Sequence, residues 1–260
     1  MKKLLIVLVS IVAVIVIAVA VVLGYLGYFK PVARVLGTDK PKDLGVSYSE
    51  ADLVSVRSKL RLELNEAPAG SLTKYEGQQE IEESFSSAEL TALVNGSRWS
   101  YTPIENVQIK IGDNGFAESS GILRLDLMDE YLGEVASGTV SGEELDKVKG
   151  ILPDSFPYYV SGAVTYNNGT ISFDFGSKSV LAGLISKVYA SSVSVSVGSL
   201  TVGKLSVPAA LLESSQGRVD TFINTGLGHI SGLNISSLEF DGGQMKLKAT
   251  VPTTKYRPVE

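Results

Sequence analysis

The chain has 260 residues, no cysteine, a single histidine, and 23 basic against 28 acidic side chains, for a formal net charge of -5. That length allows one medium domain, or two small ones, with an apolar core large enough to need no disulfide. The acidic balance and the lack of a basic cluster argue against nucleic acid as a partner. The missing cysteines exclude disulfides, Cys-bound zinc, iron–sulfur clusters, lipobox acylation and thiol nucleophiles.

From Leu4 to Phe29 the sequence carries no charge and is dominated by Val, Ile, Leu and Ala. About 20 such residues suffice for a helix to cross the hydrocarbon of a bilayer, so the expectation is a transmembrane signal anchor over residues 1–30. Tyr25, Tyr28 and Phe29 stand where an interfacial aromatic belt would be. A cleaved signal peptide is the alternative, with Ala18-Val19-Ala20 as a weak cleavage site. Signal h-regions usually run about 7–15 residues, however, and this apolar run continues further. Basic residues flank both ends, so their count does not set the orientation. Signal-anchor logic does: a very short tail with a long domain behind it places the N-terminus inside and the domain outside. The membrane is thus the expected partner, and the expected localisation is the cell membrane, single-pass, with an extracytoplasmic C-terminal domain.

Residues 31–48, with Pro31, Gly37, Pro41 and Gly45 and no sustained period, read as a stalk ahead of a domain at 49–260. Ser49 precedes Glu50, Ala51 and Asp52 as a helix cap, with Leu53, Val56 and Leu60 at helical spacing. Tyr75 to Phe85 reads as a polar strand at a sheet edge. Ser86 and Glu89 have capping-box spacing ahead of Leu90, Leu93 and Val94, which predicts a short helix. Val107, Ile109 and Ile111 then alternate with polar residues, Asp113-Asn114-Gly115 supplies a turn, and Leu123, Leu125 and Leu127 mark the return strand. Ser141 and Glu144 start another short helix near 142–151. A second hairpin centres on Asn167-Asn168-Gly169, with Val160, Val164 and Tyr166 leading in and Ile171, Phe173 and Phe175 leading out. Val193, Val195 and Val197 alternate with serines as a further strand. Pro208 opens a helix whose apolar face holds Leu211, Leu212, Val219, Phe222 and Ile223. A third hairpin turns at Asp241-Gly242-Gly243, followed by Met245, Leu247, Ala249 and Val251.

Two stretches share an order of helix, Asn exit, strand, Asp/Asn-Gly turn and strand, which reads as an internal duplication of 86–127 and 208–252. The expected fold class is α+β: the N-terminal transmembrane helix, then a curved, mostly antiparallel sheet of hairpins wrapping around one long and one or two short helices.

Catalytic chemistry finds little support. His229 stands beside Gly228 with no partner placed by spacing, and no Gly-x-Ser-x-Gly elbow accompanies the many serines. Asp129-Glu130 and Glu143-Glu144 are sequence neighbours that do not face one another on a helix. Neither metal-ligand spacing nor a P-loop or dinucleotide fingerprint occurs, so no catalytic residue, metal ligand or cofactor is assigned.

Phe85-Ser86-Ser87-Ala88-Glu89-Leu90-Thr91-Ala92-Leu93-Val94-Asn95 and Val202-Gly203-Lys204-Leu205-Ser206-Val207-Pro208 resemble motifs of the YpmS-like single-pass extracytoplasmic bacterial proteins. More distantly they resemble the LmeA-type phospholipid-binding proteins, whose folds are similar to tubular lipid-binding modules. The resemblance covers roughly residues 75–252 and implies a curved sheet around a helix, with lipid or lipid-precursor binding at the cell envelope. It carries over no functional residue, and 49–66 and 128–152 have no counterpart in it. The leading expectation is accordingly a membrane-anchored, non-catalytic binding module holding a lipid or another apolar envelope molecule. Its groove would be lined by Val107, Ile109, Leu125, Phe173, Phe175, Met245 and Leu247. The rival expectations are a solid interaction domain that docks a protein partner through a strand edge such as 75–85, and a hydrolase with a dispersed serine site.

Overall fold

A computed structural model of the chain describes residues 16–23, 25, 30–68, 71, 73–96, 102–113, 116–135, 142–150, 152–167, 170–174, 192–195, 199–202, 205–206, 228 and 230–258. The expected Pro208 helix, His229, Phe175, the Ser141 cap and the Asn-Gly turn residues of the first two hairpins lie outside the described residues.

The N-terminal expectation is corrected. Among the described residues no helix is long and apolar enough to cross a membrane. Residues 16–23 are helical. The next helix, α1 (Lys30–Leu36), has seven residues and carries Lys30 and Arg34. The transmembrane signal anchor, the membrane as a partner through that helix, and the single-pass cell-membrane localisation all fall with this finding.

Helix α2 (Glu50–Leu60) starts where the sequence places it. Ser49 is extended and accepts from the Asp52 amide, while the Asp52 carboxylate takes the Ser49 amide at 2.8 Å, so both halves of a capping box are present. Arg61, at φ 48°, ends the helix in the left-handed region. Helix α3 (Ser87–Gly96) is entered through the second capping box: Ser86 Oγ accepts from the Glu89 amide at 3.1 Å and Glu89 Oε2 accepts from the Ser86 amide at 2.8 Å.

Strands β1 (Glu63–Ala67), β2 (Lys74–Glu76) and β3 (Gln79–Ser86) follow α2. The single strand expected at 75–85 is therefore two, separated at Gly77, whose φ of 71° suits glycine. The first hairpin is β4 (Ile104–Ile111) and β5 (Phe116–Arg124), with Ile104 opposite Leu123 and Ile111 opposite Ala117. Leu125 and Leu127, expected on the return strand, instead form a single 3-10 turn that enters α4 (Met128–Val135). Helix α5 (Gly142–Lys149) packs back on α4 through Leu132 and Leu145.

Strand β6 (Ser155–Asn167) is the spine of the largest sheet, pairing with β5, with β7 (Thr170–Asp174) and with β9 (Ser199–Val202). Beyond these lie β8 (Ser192–Val195), parallel to β7, and the short β10 (Leu205–Ser206) on β9. The last hairpin, β11 (Asn234–Asp241) and β12 (Gln244–Val251), turns at Gly242 and Gly243 with φ 58° and 73°. That backbone is the one a two-residue hairpin turn requires. Strand β13 (Thr254–Pro258) closes the series.

The class is α+β, but the expected single curved sheet is corrected: the described strands form three sheets, β10-β9-β6-β5-β4 with β7 and β8 attached, β11-β12-β3, and β1-β13-β2. The two small sheets are in register with each other. Val251 faces Gln79 and Thr254 faces Glu76, so Gly77–Gln78 lies opposite Pro252–Thr253 in one bent ribbon. Along β12 the polar Gln244, Lys246 and Lys248 are exposed, whereas Ala249 and Val251 are buried, as period-two alternation dictates. Its inward side meets Ile81 of β3 with Leu60, Leu233 and Ile235 around it. Leu53 and Val56 of α2, Phe85 of β3 and Ala92 of α3 form the adjoining core, onto which Leu60, Leu90, Leu93, Met245 and Leu247 pack.

Candidate functional site

The junction of α3 with β4 is the most elaborately bonded part of the described chain. Among the described strands β4 ends its sheet, so one row of its backbone groups has no neighbouring strand there. Helix α3 supplies partners from Ser87, Thr91 and Asn95. Ser87 Oγ accepts from the Ile111 amide at 2.9 Å, and Thr91 Oγ1 accepts from the Ile109 amide at 2.9 Å and donates to its carbonyl at 3.3 Å. The Asn95 side-chain amide takes the Val107 N–H at 3.1 Å and gives its own N–H to the Val107 carbonyl at 2.8 Å. Four helical residues rise about 6 Å and two strand residues about 6.6–6.8 Å, so side chains four apart on the helix match backbone groups two apart on the strand. The helix thus stands in for a missing strand.

A bulge interrupts β4 at the same place. Glu105 pairs with Ile122 and Gln108 with Ser120, which leaves Asn106 and Val107 together opposite Gly121. Asn106 takes φ 50°, a conformation that asparagine tolerates better than most residues. A side chain at Gly121 would have its Cβ 2.9 Å from the Glu105 carbonyl oxygen and 3.0 Å from the Tyr158 ring, so glycine is required there.

The segment before α2 is laid against this bulge. The Leu44 amide donates to Gln108 Oε1 at 2.7 Å and the Leu44 side chain is buried. Lys42 sits 3.7 Å from the centre of the Tyr159 ring and 3.4 Å from Glu118, and Tyr159 donates to the same carboxylate at 2.8 Å. An open cleft of about 320 Å³ results, lined by Val46, Ser47, Tyr48, Thr91, Asn95, Asn106, Val107 and Gln108.

A buried ionic group supports α3 from the other side. Glu89, 6 % exposed, accepts from Ser55 Oγ at 2.5 Å and pairs with Lys59 at 2.6 Å. Burial alone would push its carboxyl up, but Lys59, Ser55 and the Ser86 amide together hold it below the ordinary range. A carboxylate lowered in this way is a poor general base, so the Ser55–Glu89–Lys59 cluster is a brace. Ser119 bonds Tyr158, whose phenol is pushed up by burial, and Ser161 bonds Ser199. Among the described residues no group of three or more acidic or histidine side chains could hold a metal ion.

The expected groove positions are not gathered on one surface. Val107 is buried under α3 and Ile109 is half-buried beside Thr91, both on the largest sheet. Leu125 is buried in the 3-10 turn. Met245 and Leu247 lie on another sheet and pack against Leu53, Val56, Phe85 and Ala92. Phe173 belongs to β7, paired with Val164 and Val195. Sequence reading found the Ser86–Glu89 cap but missed the polar row of Ser87, Thr91 and Asn95. Its signal was available as hydroxyl and amide residues at four-residue spacing beside the apolar face. Nothing in the sequence announced Asn106 as a bulge. Comparison with protein-family models, with curated proteins and with solved structures finds no match, so the likeness to YpmS-like proteins stands on the quoted motifs alone.

Proposed function

We propose that this chain is a non-catalytic interaction domain with a filled core, which takes up an extended segment of a protein partner as an added strand beside β1. The observation that carries this reading is the bareness of β1. Among the described residues it ends its sheet and pairs with β13 alone, and it is exposed from Glu63 to Glu66, with Leu64 half-exposed. Strand edges left in this state are sites of strand addition. The 75–85 edge fits less well: toward its end Lys59 donates to the Ser84 carbonyl at 2.6 Å and Glu89 takes the Ser86 amide. A second copy of the chain would bring Glu63 and Glu66 against their own kind, whereas a segment with basic residues around an apolar one complements both glutamates and Leu64. The positions expected to line a lipid groove speak for a solid interior, since Met245 and Leu247 meet the protein's own side chains.

The test is hydrogen exchange of the β1 amides in the full chain, with and without a synthetic peptide of alternating lysine and valine, alongside native mass spectrometry of the purified protein. The reading expects added protection confined to 63–67, lost in the Glu63→Lys/Glu66→Lys double variant. A stoichiometric co-purifying lipid, with β1 exchange unchanged by peptide, overturns it.

A further inference from the structure

We infer that the cleft at the β4 bulge is a binding site for a neutral sugar ring. Its position is independent of β1, and three properties carry the assignment.

The first is charge. None of the eight lining residues is Asp, Glu, Lys, Arg or His. A phosphate, a metal cation or an ionic peptide side chain would leave water for a cleft with no counter-charge, which is unfavourable. A ligand rich in hydroxyls has no such cost. Ser47, Tyr48 and Asn106 offer it both donors and acceptors. Among the described residues none of these three side chains has a hydrogen-bond partner, so their capacity is available.

The second is shape chemistry. Tyr48 is 48 % exposed and lines the cleft. It presents an apolar ring with a polar tip. A pyranose has a matching character, with a face of C–H groups and a rim of hydroxyls. The volume of about 320 Å³ falls at the lower end of small-molecule sites, roughly 300–1,000 Å³, which suits one or two rings.

The third is preorganisation. The Leu44–Gln108 hydrogen bond and the Ser49 cap fix the two ends of the 46–48 wall. The bonds from Thr91 and Asn95 fix the floor. Asn106 holds a positive φ that a glycine would adopt more readily. The bulge thus fixes the Asn106 backbone while its side chain stays exposed at the cleft. A rigid site of this kind loses little conformational freedom on binding.

The experiment is saturation-transfer NMR on the full chain with cellobiose, maltose and chitobiose at millimolar concentration, followed by titration of any binder. At least one disaccharide should receive saturation on its ring protons. Tyr48→Ala removes the platform, and Asn106→Gly removes the amide while favouring the same backbone. Each should weaken binding about tenfold, the value of one lost hydrogen bond or stacking contact, with the urea midpoint unchanged. Absence of transfer to all three sugars overturns the assignment. So does binding that survives both substitutions, or inorganic phosphate outcompeting the sugar.

Discussion

Replacing Thr91 by valine tests whether α3 truly substitutes for a strand along β4. Thr91 is 1 % exposed, and valine matches its shape with a methyl in place of the hydroxyl, so no cavity opens. The two residues have nearly the same helix propensity, which removes a second source of change. What is lost is one acceptor for the Ile109 N–H at 2.9 Å and one donor to its carbonyl at 3.3 Å. A buried N–H without a partner costs about 1–3 kcal/mol, and the carbonyl, whose bond is long, adds less. The gain from burying a methyl is under about 1 kcal/mol, so the net destabilisation is about 2 kcal/mol. Urea unfolding should show it as a lower midpoint at constant slope. Hydrogen exchange should show it locally, as accelerated exchange of the Ile109 amide. Thr91→Ser keeps the hydroxyl and loses a methyl; it is the control and should retain protection at Ile109. If the valine variant matches the serine variant in both stability and Ile109 protection, the helix is not closing the strand edge.

Three other substitutions probe the same region. The Glu89 carboxyl is held below its ordinary 4.5 in the folded state by Lys59, Ser55 and the Ser86 amide against burial, so its contribution is complete at neutral pH and fades as pH falls below that value. Glu89→Gln should lower stability by about 2 kcal/mol at pH 7 and flatten the acid limb of a urea-midpoint profile; a parallel limb in the variant would refute the linkage. Gly121→Ala should destabilise by about 1–3 kcal/mol, because its Cβ would press on the Glu105 carbonyl and the Tyr158 ring, and a neutral result in thermal unfolding would mean that the bulge yields. Gly243→Ala forces φ 73° on an L-residue and should cost about 1 kcal/mol in the same assay, with no change if the turn converts to another type.

Local features of this fold were readable and long-range ones were not. The caps at Ser49 and Ser86 lie within three residues of their partners, and the hairpins follow from alternation on either side of a turn. By contrast, β1 pairs with β13 across almost the whole domain, with Glu63 opposite Thr254. No periodicity in ELNEA points to TKYRP. The division into three sheets was hidden for the same reason: β12 shows the same alternation whether its neighbour is β3 or β4. The apolar N-terminal run met the length rule by composition, yet among the described residues no helix is long and apolar enough to cross a membrane. At the site, the α3 polar row was overlooked because polar residues along one side of a helix are ordinarily read as solvent-facing. Here they serve another segment's backbone.

The treatment of sheet ends ties these observations to function. A bare strand is a hazard, and this chain deals with its ends in different ways. It closes β4 with three side chains of α3 and occupies the end of β3 with Lys59 and Glu89. Among the described residues strand β1 has no comparable cover: four of its five residues are exposed, and glutamates stand on either side of Leu64. Charge of one sign deters pairing of two copies, but it does not deter a segment of opposite sign. Had β1 needed protection from every partner, a proline or a covering side chain of the kind used at β4 would serve better than paired acids. The selective barrier left at β1, beside the closure at β4, is what the proposed docking of a basic partner calls for.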